Sequence, residues 1–173
     1  LSIRRQRQMC IRDSGYIEQL DDELLRISKE SFDALSFNCY ALSPDHEKMN
    51  HALEISGLPM IIGEYHFGTV DRGLAQSLWQ VNSQKERGDA FRYYTENAFA
   101  HRGLIGTGWF RWIDQNINGR TDGENYNCGF IDVTDRPYPY MVDAAIKTAK
   151  SLYEIHSGTK TPFHQAPNAV GHS

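Results

Sequence analysis

The run Met60-Ile61-Ile62-Gly63-Glu64-Tyr65-His66-Phe67-Gly68 limits what this chain can fold into more than any other stretch. A β-branched apolar segment leads straight into one carboxylate, then aromatics and a glycine. That is how a buried parallel strand reads when it carries a charged group to the edge of a sheet. An unpaired buried carboxylate costs several kcal/mol or more. Glu64 is therefore either paired, with Arg72 or Arg111 as partner, or at work in a site. Strict alternation puts Met60, Ile62, Glu64 and His66 on one face, so Glu64 and His66 are expected to look into the same opening.

The elements around this strand alternate in type. Tyr16 to Glu30 has a helical stripe at Ile17, Leu20, Leu24 and Ile27. Phe32 to Tyr40 reads as a strand, with Leu35, Phe37 and Cys39 on one face and Ser36, Asn38 and Tyr40 on the other. Ser43-Pro44-Asp45 starts a helix carrying Met49 and Leu53, and Gly57-Leu58-Pro59 ends it. A loop and helix follow the Glu64 strand from Thr69 to Gly88, and Asp89 is expected to cap a helix to about His101, with Phe91, Tyr94 and Ala98 inward. Leu104 to Ile113 is the third strand, and Gln115 to Cys128 a polar loop. Pro139 to Ile155 is a helix with Val142, Ala145, Ile146, Ala149, Leu152 and Tyr153 in one stripe. Thr159 to Ser173 lacks periodicity and is expected to be a flexible tail.

The order α, βα, βα, βα predicts an α/β fold with a parallel sheet covered by helices. Three βα units are too few for the roughly 250 residues of an eight-unit TIM (β/α)8 barrel, but they would serve as its last three units, strands 6–8. A doubly wound sheet is the alternative, and no Gly-rich phosphate turn follows any strand.

Composition narrows the partners. The net charge is −4, and Arg4, Arg5, Arg7 and Arg12 against Asp13 make the first fourteen residues +3, so the remainder carries −7. An acidic body argues against nucleic acid. No run approaches the ~20 apolar residues of a membrane span. Cys10, Cys39 and Cys128 have neither zinc nor disulfide spacing. Met9-Cys10-Ile11-Arg12-Asp13-Ser14 resembles the translation of a transposase adapter used in sequencing libraries. Residues 1–14 are therefore expected to be artefactual, with the natural sequence starting near Gly15 and continuing upstream in the true protein; a natural basic arm is the alternative. Residues 15–158 form the domain proper.

In a βα barrel the site lies at the C-terminal strand ends. All three strands here end in polar or aromatic groups: Asn38 and Tyr40; Glu64 and His66; Trp109, Arg111, Trp112 and Asp114. Indoles that stack on sugar faces, with carboxylates and amides for hydroxyls, suit a carbohydrate. Tyr40 is placed to donate to Glu64 and keep it ionised. His66 is a candidate sugar ligand or a supporting histidine. Trp109 and Trp112 are candidate platforms or packing residues. Asp114 and Gln115 are either in the site or caps of the loop. Asp122-Gly123-Glu124-Asn125 lacks the EF-hand spacing, so no metal is assigned; it reads as a turn whose Glu124 or Asn125 reaches a sugar hydroxyl.

Phe32–Tyr40, Pro59–Gly68, Gly106–Gln115 and Gly119–Phe130 resemble the last three strands and loops of a retaining glycoside hydrolase barrel of the large Glu/Glu superfamily, and within it the β-agarase-type enzymes. The resemblance runs from about residue 17 to residue 157. It implies Glu64 as nucleophile at the end of strand seven, Tyr40 as its orienting partner, and a tryptophan of strand eight as sugar floor. It implies a polysaccharide or oligosaccharide substrate, no cofactor, and a secreted or periplasmic enzyme. The family's acid/base glutamate ends strand four after an asparagine. No strand here matches it, so the fragment is expected to be inactive alone. Other β-galactosidase- or mannanase-like members are alternatives within the superfamily. A non-catalytic carbohydrate-binding barrel is the alternative outside catalysis.

Overall fold

A computed structural model of the chain describes residues 17–171; the expected artefactual segment 1–14 lies outside the described residues. A short 3-10 turn, Ile17–Gln19, leads to α1 (Asp22–Ser31), β1 (Leu35–Asn38), α2 (His46–Ser56), β2 (Met60–Tyr65), β3 (Trp79–Gln80), α3 (Gln84–Phe99), β4 (Leu104–Trp109), α4 (Pro139–His156) and β5 (Val170–Gly171). Strands β1, β2 and β4 form a parallel sheet in that order. Each is shorter than its apolar run, because the residues beyond it leave the ladder to build loops.

Helix starts are fixed by short acceptors. Asp21 accepts from the Leu24 N–H, and Asp45 from those of Glu47 and Lys48, satisfying amides that the first turn leaves free. Gly57 closes α2 in the left-handed region at φ 66°, where a side chain would be strained. The third helix begins earlier than its sequence suggests. Ser83, not Asp89, is its cap, accepting from the Glu86 N–H. Asp89 sits inside the helix and pairs with Lys85 at 2.7 Å.

Helices cover one face of the sheet. Leu35, Phe37, Met60, Ile62 and Leu104 are buried there with Met49, Ala52 and Ala98. Each of the Leu, Ile, Met and Phe side chains contributes roughly 1.5–3 kcal/mol relative to exposure. Simple alternation along β2 fails after Ile62. Phe37 pairs with Ile62 but Asn38 with Glu64, and on the other side Ile62 pairs with Thr107 but Tyr65 with Trp109. One extra residue, a β-bulge, shifts the phase. Met60 and Ile62 therefore face the helices, while Tyr65 and Phe67 take over that face further on. Tyr65 stacks on Tyr94 of α3 at 4.1 Å between ring centres.

Two further expectations are corrected. In α4 the buried residues are Met141, Ala144, Thr148, Ser151 and Ile155. The more apolar stripe of Val142, Ile146 and Tyr153 is exposed, Tyr153 by 86%. Helix α4 docks on α3 through its small and hydroxyl residues, because Thr148 donates to buried Glu96 at 3.0 Å. The segment after Thr159 is also tied down. The Phe163 N–H donates to Glu96 Oε2 at 2.8 Å, its carbonyl accepts from Asn97 at 3.1 Å, and Arg92 lies 4.3 Å over its ring. Val170–Gly171 then pairs antiparallel with Trp79–Gln80. Backbone hydrogen bonds hold this segment, and they leave no apolar periodicity in sequence.

The open face of the sheet is rich in small residues. A Cβ on Gly108 would overlap the Gly63 carbonyl, a backbone atom with no freedom to yield. Gly108→Ala is expected to lower stability by roughly 1–3 kcal/mol or more through forced strand displacement. Urea unfolding of the two proteins measures it, and an unchanged midpoint would disprove the close approach.

Candidate active site

Glu64 ends up on the face away from the helices because of the bulge. Gly63 faces the same way: a Cβ there would lie 3.0 Å from Asn38 Oδ1 and 3.1 Å from Ser36 Oγ. Two successive residues on one side leave Glu64 standing free of the sheet. It forms the wall of a cavity of about 360 Å3 with Asn38, Tyr40, His66, Leu78, Phe110, Arg120 and Glu124, within the roughly 300–1,000 Å3 usual for ligand sites.

Tyr40 donates its hydroxyl to Glu64 Oε2 at 3.0 Å. Burial, reinforced by the Glu64 charge, pushes the Tyr40 phenol well above its ordinary range, so it remains a donor. Glu64 makes no ion pair with Arg72 or Arg111 among the described residues. Its Oε1 is left for a ligand. Trp79 holds Tyr40 from behind, its Nε1–H donating to the Tyr40 carbonyl at 2.9 Å.

His66 is buried, with both ring nitrogens committed. Nδ1 lies 3.1 Å from the Phe110 carbonyl, and Nε2 accepts from the Leu78 N–H at 3.2 Å. Nδ1 therefore carries the proton and donates. The sequence expectation of a sugar ligand is not what these bonds support: His66 fastens the loop at Leu78 to the end of β4, and shows the cavity only its ring. Burial lowers its pKa to about 3.

The tryptophans differ from expectation as well. Trp109 is packed among Tyr65, Phe67, Phe91 and Phe130, with its Nε1–H on the Cys128 carbonyl at 2.7 Å. Trp112 is 68% exposed and stacks on Phe130. Neither lines the cavity. Phe110, between them, does; the sequence reading passed over it because a lone Phe beside two Trp residues carries no distinct signal.

Asp114 is buried away from the cavity, accepting from the Gly129 N–H, Asn127 Nδ2 and the Tyr138 hydroxyl at 2.6–2.7 Å. Arg87, fully buried, donates to the Asn127 carbonyl at 2.9 Å. These bonds pin the loop after β4 onto α3. At its tip, Gln115 Nε2 donates to Glu124 Oε2 at 2.8 Å and Arg120 reaches the same oxygen at 3.4 Å. Asn125 lies outside the cavity and accepts from the Ala75 N–H at 3.2 Å. Arg120 was also missed in sequence, since a loop arginine is unremarkable until the loop folds back. Cys39 and Cys128 are buried, and burial pushes the Cys128 thiol up to about 12, which leaves it unreactive. No group of three or more His, Cys, Asp or Glu is arranged to hold a metal ion, and no helix is long and apolar enough to cross a membrane, among the described residues.

A strand-end carboxylate held by a tyrosine, beside an aromatic ring and amide and carboxylate partners, is a set of groups able to grip a hydroxyl-bearing ring. No family model matches the chain. Over 146 residues it is 40% identical to β-agarase A of Vibrio sp. (strain JT0107), covering 80% of this chain and 15% of that protein. It is 38% identical over 130 residues to β-agarase B of the same strain, covering 71% and 13%. Among solved structures, an exo-β-agarase matches with a TM-score of 0.75 and 36% identity over 80% of this chain and 19% of its own. The structure named PfGH50B matches with 0.76 and 37%, over 81% and 21%. The chain is thus a homologue of β-agarase-type glycoside hydrolases over most of its length, and spans about 15% of the curated relatives it matches.

The histidine gives a checkable consequence. In the unfolded chain His66 takes a proton near pH 6.5; folded, it does so only near 3. Stability is complete above about 6.5 and falls as pH drops toward 3, by up to ~1.4 kcal/mol per pH unit for one proton. Buried His101, whose pKa is also lowered, acts in the same direction. His66→Gln should remove about one proton's worth of this slope between pH 6 and 4 in urea titrations. An unchanged slope would mean that His66 is protonated in the fold.

Proposed function

We propose that this chain is the C-terminal part, strands six to eight, of a TIM-barrel glycoside hydrolase that cleaves a β-linked galactan such as agarose with retention of configuration. The observation that carries the reading is the Glu64 carboxylate, held on one oxygen by Tyr40 at 3.0 Å in the wall of the cavity. The names of the homologues support the substrate class. Among the described residues β1 and β4 pair only with β2, and these edges with the exposed stripe of α4 support a sheet made to continue into further βα units.

In this mechanism Tyr40 occupies Oε2 and orients the carboxylate. Oε1 attacks the anomeric carbon and forms a glycosyl ester as the glycosidic oxygen departs. Phe110 stacks on the sugar, Asn38 exchanges hydrogen bonds with its hydroxyls, and Glu124 accepts from them. The departing oxygen takes its proton from a second carboxyl about 5–5.5 Å from the nucleophile, supplied by a strand outside this trio. Water, deprotonated by that same group, then hydrolyses the ester. The chain alone is therefore inactive on polysaccharide.

Fluoride leaves as an anion and needs no acid, so a 2-deoxy-2-fluoro-β-galactosyl fluoride tests Glu64 without the second carboxyl. The Glu64–C1 bond forms, the C1–F bond breaks and fluoride is released. Mass spectrometry should find one fluorogalactosyl group on the peptide containing Glu64. Glu64→Gln should abolish it, and Tyr40→Phe should slow it about 10–100-fold through loss of a charged hydrogen bond. Labelling that persists in Glu64→Gln, or none in the parent chain, would sink the assignment and favour a non-catalytic carbohydrate binder.

A further inference from the structure

Tyr40 stands beyond the end of β1, just past the bond from the Cys39 N–H to the Glu64 carbonyl at 2.9 Å. Its main chain is held from a different element: the Trp79 Nε1–H donates to the Tyr40 carbonyl at 2.9 Å. Trp79 lies outside the set of residues that line the Glu64 cavity. Its ring packs against the core, meeting Phe67 edge-on with centres 6.4 Å apart.

Strand β3, which carries Trp79, has two residues and is too short to hold itself. It is gripped from both sides. On one, the Gly68 N–H donates to the Trp79 carbonyl and the Val81 N–H to the Gly68 carbonyl, each at 2.9 Å. On the other, Trp79 pairs with Gly171 and Gln80 with Val170. Gly171 lies so close to the indole that an added Cβ would sit 3.0–3.3 Å from its ring atoms. The strap that delivers Gly171, residues 159–171, is anchored near its start. Lys160 Nζ donates to Ser151 Oγ at 2.5 Å, and both backbone groups of Phe163 are bound, the N–H by Glu96 and the carbonyl by Asn97.

Resting on the glycosidase reading of Glu64, we propose that Trp79 is a positioning residue for the nucleophile, and that the strap of residues 159–171 holds it in place. The indole touches no sugar. It fixes the main chain of Tyr40, and the Tyr40 ring carries that position out to its hydroxyl, 3.0 Å from Glu64 Oε2. Attack on the anomeric carbon is sensitive to such placement, since a shift of about 1 Å costs on the order of 100-fold in rate. A segment on the far side of α3 thus reaches the reacting carboxylate through the indole.

The test is the kinetics of Glu64 labelling by the 2-deoxy-2-fluoro-β-galactosyl fluoride, resolved into the rate at saturation and the half-saturating concentration. Trp79→Phe keeps an aromatic ring against Phe67 and removes the N–H donor. It should lower the saturated rate about tenfold, the worth of one hydrogen bond, and change the half-saturating concentration by less than about twofold. Gly171→Ala pushes on the indole and deletes nothing; it should lower the saturated rate about threefold. In a Tyr40→Phe background both substitutions should lose their effect, because no hydroxyl is left to place. A general loss of structure would instead add to the Tyr40→Phe loss. An unchanged rate in Trp79→Phe, a loss that carries over in full to Tyr40→Phe, or a rise in the half-saturating concentration alone overturns the positioning role and leaves the Glu64 reading standing. Should Trp79→Phe fail to fold by circular dichroism, Gly171→Ala with and without Tyr40→Phe decides by the same criteria. A parent chain that takes no label overturns both.

Discussion

The site depends on a residue that has no side chain. Gly63 is the extra residue of the bulge in β2, and it lies against Asn38 and Ser36 where a Cβ would already be in tight contact. Without the bulge, alternation from Met60 and Ile62 would send Glu64 under the helices, into the apolar layer with Leu35 and Leu104. An unpaired carboxylate there would cost several kcal/mol or more. With the bulge, the helix side receives Tyr65, whose ring stacks on Tyr94, and the open side receives Glu64. One inserted residue thus satisfies the core and frees the carboxylate together, and bulges near sites commonly serve to re-aim a side chain in this way.

What the bulge exposes, the loops then fix. Trp79 holds the Tyr40 carbonyl, and Trp79 lies in a two-residue strand paired with Val170–Gly171. Gly171 packs directly on the Trp79 indole, with an added Cβ 3.0 Å from the ring. Further back, Glu96 accepts from Phe163, Thr148 and Arg92, joining the C-terminal segment to α3 and α4. Removing one partner of such a buried charge costs more than the pair itself contributes. Glu96 anchors the segment at Phe163, and the same segment's Val170–Gly171 pairs with the strand of Trp79, which holds the Tyr40 carbonyl.

The alternation of helices and strands, the Glu64–Tyr40 pairing and the cavity positions of Asn38 and Glu124 were legible in the sequence, because local periodicity and strand-end chemistry encode them. The bulge was not, since register is a property of three strands and appears in no single one. The α4 orientation was misread for a related reason. Hydrophobicity picks out Val142, Ile146 and Tyr153, but docking on α3 is decided by Thr148 and the buried Glu96 it meets. His66 and Asp114 looked like ligands because polar residues at strand ends usually are. Their hydrogen bonds to Leu78, Phe110, Gly129 and Tyr138 come from loops whose folding the sequence does not announce.

The same features explain where the chemistry of this chain stops. A nucleophile must be charged, oriented and open on one side, and Glu64 is bound on a single oxygen by a neutral donor. A general acid must instead hold a proton near neutral pH, which asks for an environment that disfavours its charge. Glu124, the other carboxylate of the cavity, is tied on Oε2 by Arg120 and Gln115. It is placed to accept hydroxyls and not to protonate a leaving group. In the proposed mechanism those partners divide the labour: these three strands supply attack and grip, and the proton comes from a second carboxyl outside them.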